Sequence, residues 1–138
     1  MIRTIAAALL ISLASTGMAS AADYVEDYGA PSACENPSVL GFITRRFDYK
    51  AKHYLYADLA ITDISHVGQS RYEPLSETRR TSREYCHAKV SMSDGERRSV
   101  WYLIERNWGF AGIGPSVEFC ISGLDPWYVY GAQCKSLR

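Results

Sequence analysis

Tyr85-Cys-His-Ala-Lys-Val-Ser-Met-Ser93, then Asp94-Gly95, then Arg98-Ser-Val-Trp-Tyr-Leu-Ile-Glu-Arg106, is the stretch whose reading decides the fold. The first run alternates. Cys86, Ala88, Val90 and Met92 share one face, and His87, Lys89 and Ser91 share the other. A period of two marks a half-buried strand. Asp-Gly at its end predicts a hairpin, because the turn needs positive φ and glycine supplies it without a steric cost. In the returning run Val100, Tyr102 and Ile104 join the Cys86/Val90 face if the turn carries one bulged residue. Trp101 and Leu103 then face the other way.

Downstream, Asn107 to Pro115 reads as a loop from its glycines and closing proline. Ser116 to Ser122 predicts another strand, with Val117, Phe119 and Ile121 on one face and Glu118 and Cys120 on the other. Gly123 to Pro126 is a turn, and Trp127 to Cys134, rich in Trp, Tyr and Val, predicts a last strand. Upstream, Leu59 to Tyr72 interleaves strong β-formers with polar residues and predicts the first strand, broken at Gly68. The segment 73–84 between them reads as a loop or exposed strand end.

Asn36-Pro37 opens a helix, with Asn as N-cap and Pro at the first helical position. Val39, Phe42, Ile43, Phe47, Ala51 and Tyr54 recur at three and four, which predicts a helix over 37–53 covering one sheet face. The expected class is α+β: one N-terminal helix packed on a curved antiparallel meander of about five strands.

The chain begins Met1-Ile-Arg3-Thr, continues with an apolar run from Ile5 to Ala14, and reaches Ala19-Ser-Ala21. This is the pattern of a secretory signal peptide over 1–21. The apolar run is about half what a spanning helix requires. Residues 22–33, acidic and rich in small side chains, predict a flexible mature N-terminus, and 34–138 a single domain. Four cysteines in an exported chain predict two disulfides, Cys34, Cys86, Cys120 and Cys134 all taking part. No Cys-x-x-Cys is present, so no metal and no cofactor is expected. In a regular meander Cys86 and Cys120 lie two strand spacings apart, about 9–10 Å, beyond disulfide reach. The preferred pairing is therefore Cys34–Cys86 with Cys120–Cys134; the rival is Cys34–Cys134 with Cys86–Cys120.

The 15 Lys and Arg balance the 15 Asp and Glu, which removes the bulk electrostatic case for nucleic acid or an anionic membrane as partner. Gly109-Phe-Ala-Gly112-Ile-Gly114 lacks the spacing, the Lys and the following helix of a phosphate loop. Of the histidines, His53 ends the helix, and His66 and His87 fall on the sheet. His87 and Cys86 are adjacent on a strand, so their side chains point to opposite faces and form no Cys–His couple. Asp63, Glu105, Glu118 and Asp125 are spread over separate elements and make no evident acid–base pair. No residue is assigned a catalytic role. The candidate ligand or partner surface is Trp101, Trp108, Phe110 and Trp127, with Arg79 and Arg80 as charged neighbours.

The run Tyr85-Cys-His-Ala, Ser93-Asp-Gly, Val100-Trp-Tyr-Leu-Ile-Glu, Gly109-Phe-Ala-Gly-Ile-Gly, Val117-Glu-Phe-Cys, Trp127-Tyr-Val-Tyr and Cys134 resembles small exported proteins of Gram-negative alphaproteobacteria. The likeness covers the last third of the chain and implies a periplasmic address, with no mechanism attached. The element order is loosely similar to cystatin-like and NTF2-like arrangements. The expected function is a non-enzymatic binding or interaction module, inhibitor- or adaptor-like, meeting a protein or small ligand in the cell envelope without a membrane span. The alternative is a small hydrolase with a histidine–carboxylate pair on the concave face of the sheet.

Overall fold

The computed structural model describes residues 32–106 and 116–138. The leader, most of the 22–33 segment, and Trp108 and Phe110 lie outside the described residues.

Helix α1 (Pro37–Lys50) starts where Asn36 caps it, its side-chain oxygen accepting from Ser38 N at 2.9 Å. A π-helical turn, Ala51–Leu55, extends it and ends at Tyr56 in the left-handed region. Val39, Ile43, Phe47 and Ala51 are buried at a stride of four. Phe42 and Tyr54, expected on this stripe, are exposed instead. A row that advances by four turns them off the seam.

The sheet contains β1 (Ile61–Glu73), β2 (Ser82–Met92), β3 (Arg97–Arg106) and β4 (Ser116–Ile121), hydrogen-bonded in chain order as an antiparallel meander. The β2–β3 hairpin closes as the Asp-Gly signal predicts. Gly95 has φ 84°, its N–H donates to Met92 O at 3.0 Å, and Met92 N donates to Glu96 O at 2.9 Å. That three-residue loop brings Cys86 opposite Tyr102 and Ala88 opposite Val100. The α1 stripe packs on the face built by Cys86, Ala88, Val90, Met92, Val100, Tyr102, Ile104, Phe119 and Ile121. Strand β1, at the sheet edge, shifts register three times against β2. Such bulges discourage edge-to-edge pairing.

The strand expected over Trp127–Cys134 does not form. Trp127–Cys134 forms turns followed by a 3-10 segment, Ala132–Leu137, with Tyr128, Gln133 and Cys134 at φ 53°, 52° and 60°. The cause is the Cys120–Cys134 disulfide. A regular hairpin turning at 123–126 would carry Cys134 roughly 17 Å past Cys120. The crosslink folds the tail over the outer face instead, where Cys134 and Leu137 pack with Tyr85, Leu103 and Cys120. The pairing is Cys34–Cys86 with Cys120–Cys134, Cα–Cα 5.7 and 5.6 Å, as strand spacing led us to expect. Cys86 and Cys120 belong to clusters on opposite sheet faces, a second reason they do not meet.

The segment 73–84 does not end in a loop: β2 begins at Ser82, and Glu84 is buried. Both carboxylate oxygens of Glu84 accept from Ala33 N at 3.1 Å, one also from Ser32 Oγ and the other from Arg106 Nη2 at 2.9 Å. Beside it Tyr102 Oη donates to Cys34 O at 2.7 Å. The lead-in to the helix is therefore held to the sheet by a disulfide, a carboxylate and a phenol.

Burial, helped by the negative charge of Glu84, drives the Tyr102 phenol well above the usual tyrosine range. A raised folded-state value means that the stability it contributes is complete below the unfolded value, near pH 10, and is lost as pH rises toward the folded one. Over that window stability falls by about 1.4 kcal/mol for each pH unit. Tyr102→Phe removes most of this alkaline decline in urea titrations run across pH, while costing about 1–3 kcal/mol at neutral pH because Cys34 O loses its donor. Tyr130, also raised by burial, leaves a residual slope.

Candidate functional site: a cationic cleft on the open face of the sheet

The face opposite α1 carries the odd-numbered side chains of β2 and β3. Register sets Lys89 beside Ser99 and His87 beside Trp101. On the β1 side Ser65 pairs with Lys89 and Gly68 with His87, and the extra residue between them throws His66 into the left-handed region at φ 53°. A non-glycine residue there is uncommon and costs free energy. The bulge places His66 at the rim of a cleft of about 570 Å³ lined by His66, His87, Ala88, Lys89, Arg97, Ser99 and Trp101. That volume suits a small ligand.

Two features shape it. Gly68 leaves room for the His87 imidazole: a Cβ on Gly68 would stand 2.8 and 2.9 Å from two ring atoms. The ring is oriented by a 2.9 Å hydrogen bond between Nδ1 and Ser70 Oγ and lies 5.8 Å from the Trp101 ring. Lys89 Nζ donates to Ser99 Oγ at 2.7 Å, which aims the ammonium across the floor and leaves donor capacity for a ligand. The Arg138 guanidinium stands 6.0 Å from the Trp101 ring. Lys89, Arg97, His66 and His87 thus line the cleft together with the Trp101 ring, and among the described residues no carboxylate lines it. Such a set suits a carboxylate or phosphate carried on a flat body.

Trp101, one of the expected surface residues, belongs to this cleft. Trp127 does not; it stands 58 % exposed in the loop after β4. Arg79 and Arg80 flank the β1–β2 turn, away from the lining, with Arg79 near Glu73 at 3.6 Å and donating to Pro74 O. His53 stacks on Tyr49 at 4.0 Å on the helix surface. Glu105 and Glu118 are diagonal neighbours across β3 and β4, but Glu105 is buried and held by Arg83 Nε at 2.7 Å. Asp125 caps its own loop by accepting from Tyr130 N at 3.0 Å. Sequence reading passed over Gly68, Ser70 and Ser99 as site residues. The available signal was a glycine inside a strand, which marks a close approach by another group.

The ligand-type atoms of Cys34, Glu84 and Cys86 lie within 4.8 Å of one another. Both sulfurs are spent in the disulfide and offer no thiolate to a metal. No protein-family model, curated protein or solved structure matches the chain.

Proposed function

We propose that this protein is a non-enzymatic binding module of an oxidising, extracytoplasmic compartment, and that it holds a small organic anion in the open-face cleft. The observation that carries the reading is the lining: His66, His87, Lys89 and Arg97 with Trp101, and no carboxylate among the described residues that line the cleft. Arg97 and Lys89 take the charged group, and the indole takes the flat apolar body. The leader pattern and the closing of all four cysteines support the address. The hydrolase alternative needs an acid beside a histidine, and no observation favours it.

Calorimetric titration with phenyl phosphate and glucuronate, against phenol and glucose as neutral counterparts, tests the proposal. The expected result is binding of an anion and not of its counterpart. Lys89→Gln and Arg97→Gln each weaken it about tenfold, the worth of a charge-assisted hydrogen bond. Gly68→Ala weakens it too, by displacing the His87 ring, with little effect on folding because the atoms it meets are the far end of one side chain. Equal binding of neutral and anionic members, or no binding of any, overturns it.

A further inference from the structure

The cleft holds side chains of two kinds. Lys89 and Arg97 are of types that stay cationic between about pH 5 and pH 8, whereas histidine changes charge within that range. Each of the two imidazoles in the lining has a serine hydroxyl at Nδ1: Ser70 Oγ at 2.9 Å for His87 and Ser65 Oγ at 3.2 Å for His66. The kind of partner matters. A hydroxyl donates to a bare ring nitrogen and accepts from a protonated one, so the bond persists in either charge state. A carboxylate in that place would favour the cation, and a backbone N–H would favour the neutral ring. The His87 ring is also confined, between Gly68 on β1 and Trp101 on β3.

On its own strand His87 shares its face with Tyr85, over which Arg71 stacks, and with Lys89. Strand β1 brings Ser70 and His66, and β3 brings Arg97, Ser99 and Trp101, with the Arg138 guanidinium 6.0 Å from the Trp101 ring. The carboxylates of this face stand outside the lining. Asp63 is opposite Ser91 and Glu118 opposite Leu103, while Glu73 lies beside Arg71, Glu105 is held by Arg83 and Asp125 by Tyr130 N. The lining thus leaves the counter-charge of an imidazolium to the ligand. An anion seated on Lys89 and Arg97 favours the charged ring and is itself held tighter by it, one coupling seen from either side. Resting on the anion-binding reading of the cleft, we infer that binding there is coupled to protonation of His87 and His66, so that the anion is taken up in acid and released toward alkaline pH. The gain in affinity is complete in acid and is lost as pH rises through the titration of the liganded rings. His87, half-buried, is screened less than His66 at the rim and carries the larger share.

The probe is phenyl sulfate, a monoanion whose own charge is constant over this range. Calorimetric titration is expected to show it bound about tenfold tighter near pH 5.5 than near pH 8, the effect of a one-unit change in one ring's proton affinity. In NMR titrations of the imidazole Cε1 protons, phenyl sulfate is expected to move the midpoints of His87 and His66 upward. It should leave that of His53, which stacks on Tyr49 on the helix. In the His66→Gln/His87→Gln double variant the affinity is expected to lose its pH dependence; should that variant misfold, the NMR result decides. Binding to the unaltered protein that is equally strong at both pH values, midpoints of His87 and His66 that bound ligand does not move, or a pH dependence that survives in the double variant overturns the coupling and leaves the anion-binding reading in place. Absence of phenyl sulfate binding at either pH overturns the two together.

Discussion

Replacing Cys34 and Cys86 together by Ala is expected to lower unfolding stability by about 4 kcal/mol, against about 3 kcal/mol for the Cys120/Cys134 pair. The ranking follows from loop length: the first crosslink joins residues 52 apart, the second 14. A longer closed loop removes more freedom from the unfolded chain. Burial does not separate the two pairs, since all four cysteines are buried, one pair in the cluster under the helix and the other in the outer-face cluster. For a domain of this size, either loss is a large share of the total. Urea unfolding of each double variant reads the order. An equal effect, or a larger one from the shorter loop, would show that chain entropy is not what the long crosslink contributes. The two variants should also differ locally. Loss of Cys34–Cys86 frees the lead-in to α1, whereas loss of Cys120–Cys134 frees the tail and the exposed loop.

Glu84→Ala is expected to cost about 3–5 kcal/mol, the range for removing one partner of a buried charged pair. Glu84 is 2 % exposed and serves Ser32, Ala33 and Arg106 at once. Alanine takes an acceptor from each and opens a void. Glu84→Gln, which keeps the shape and one carbonyl acceptor, should cost less. The difference between the two separates charge from volume. Because Glu84 and the Cys34–Cys86 bond hold the same lead-in segment, their effects should not add. Glu84→Ala introduced into the disulfide-free variant should cost clearly less than in the oxidised protein. Full additivity in that double-variant cycle would mean that the two act on separate parts of the fold.

The strands around the Asp94-Gly95 turn, the helix cap at Asn36-Pro37 and the disulfide pairing were all legible in the chain. Each rests on a local signal: alternation, a capping pair, or a distance counted in strand spacings. Two errors share one origin. Trp127–Cys134 has the composition of a strand, yet the crosslink to Cys120 gives it another place. Glu84 sits in a run that reads as polar and exposed, yet it is buried because Ala33 N and Arg106 arrive from elsewhere in the chain. Glu105, read only as one of four scattered carboxylates, is likewise buried, held by Arg83 directly opposite on the next strand. The candidate surface divided in the same way. Trp101 was placed on the open face by alternation alone. Its sharing of that face with Lys89 and Arg97 follows from the β2–β3 register, whereas the arrival of His66 depends on a bulge in β1.

By itself the sequence determined which side chains share a face and where the chain must turn, because alternation and turn chemistry act between residues a few positions apart. It also carried enough to pair the cysteines, once strands were counted as distances. The tertiary structure alone decided the rest: that the tail turns back instead of adding a strand, that one glutamate becomes a buried hub, and that four basic side chains and an indole form a cleft. Those outcomes depend on bulges and crosslinks that join distant positions. Shifting β1 by a single residue at Gly68 changes which groups meet His87, and no local pattern in the chain records it.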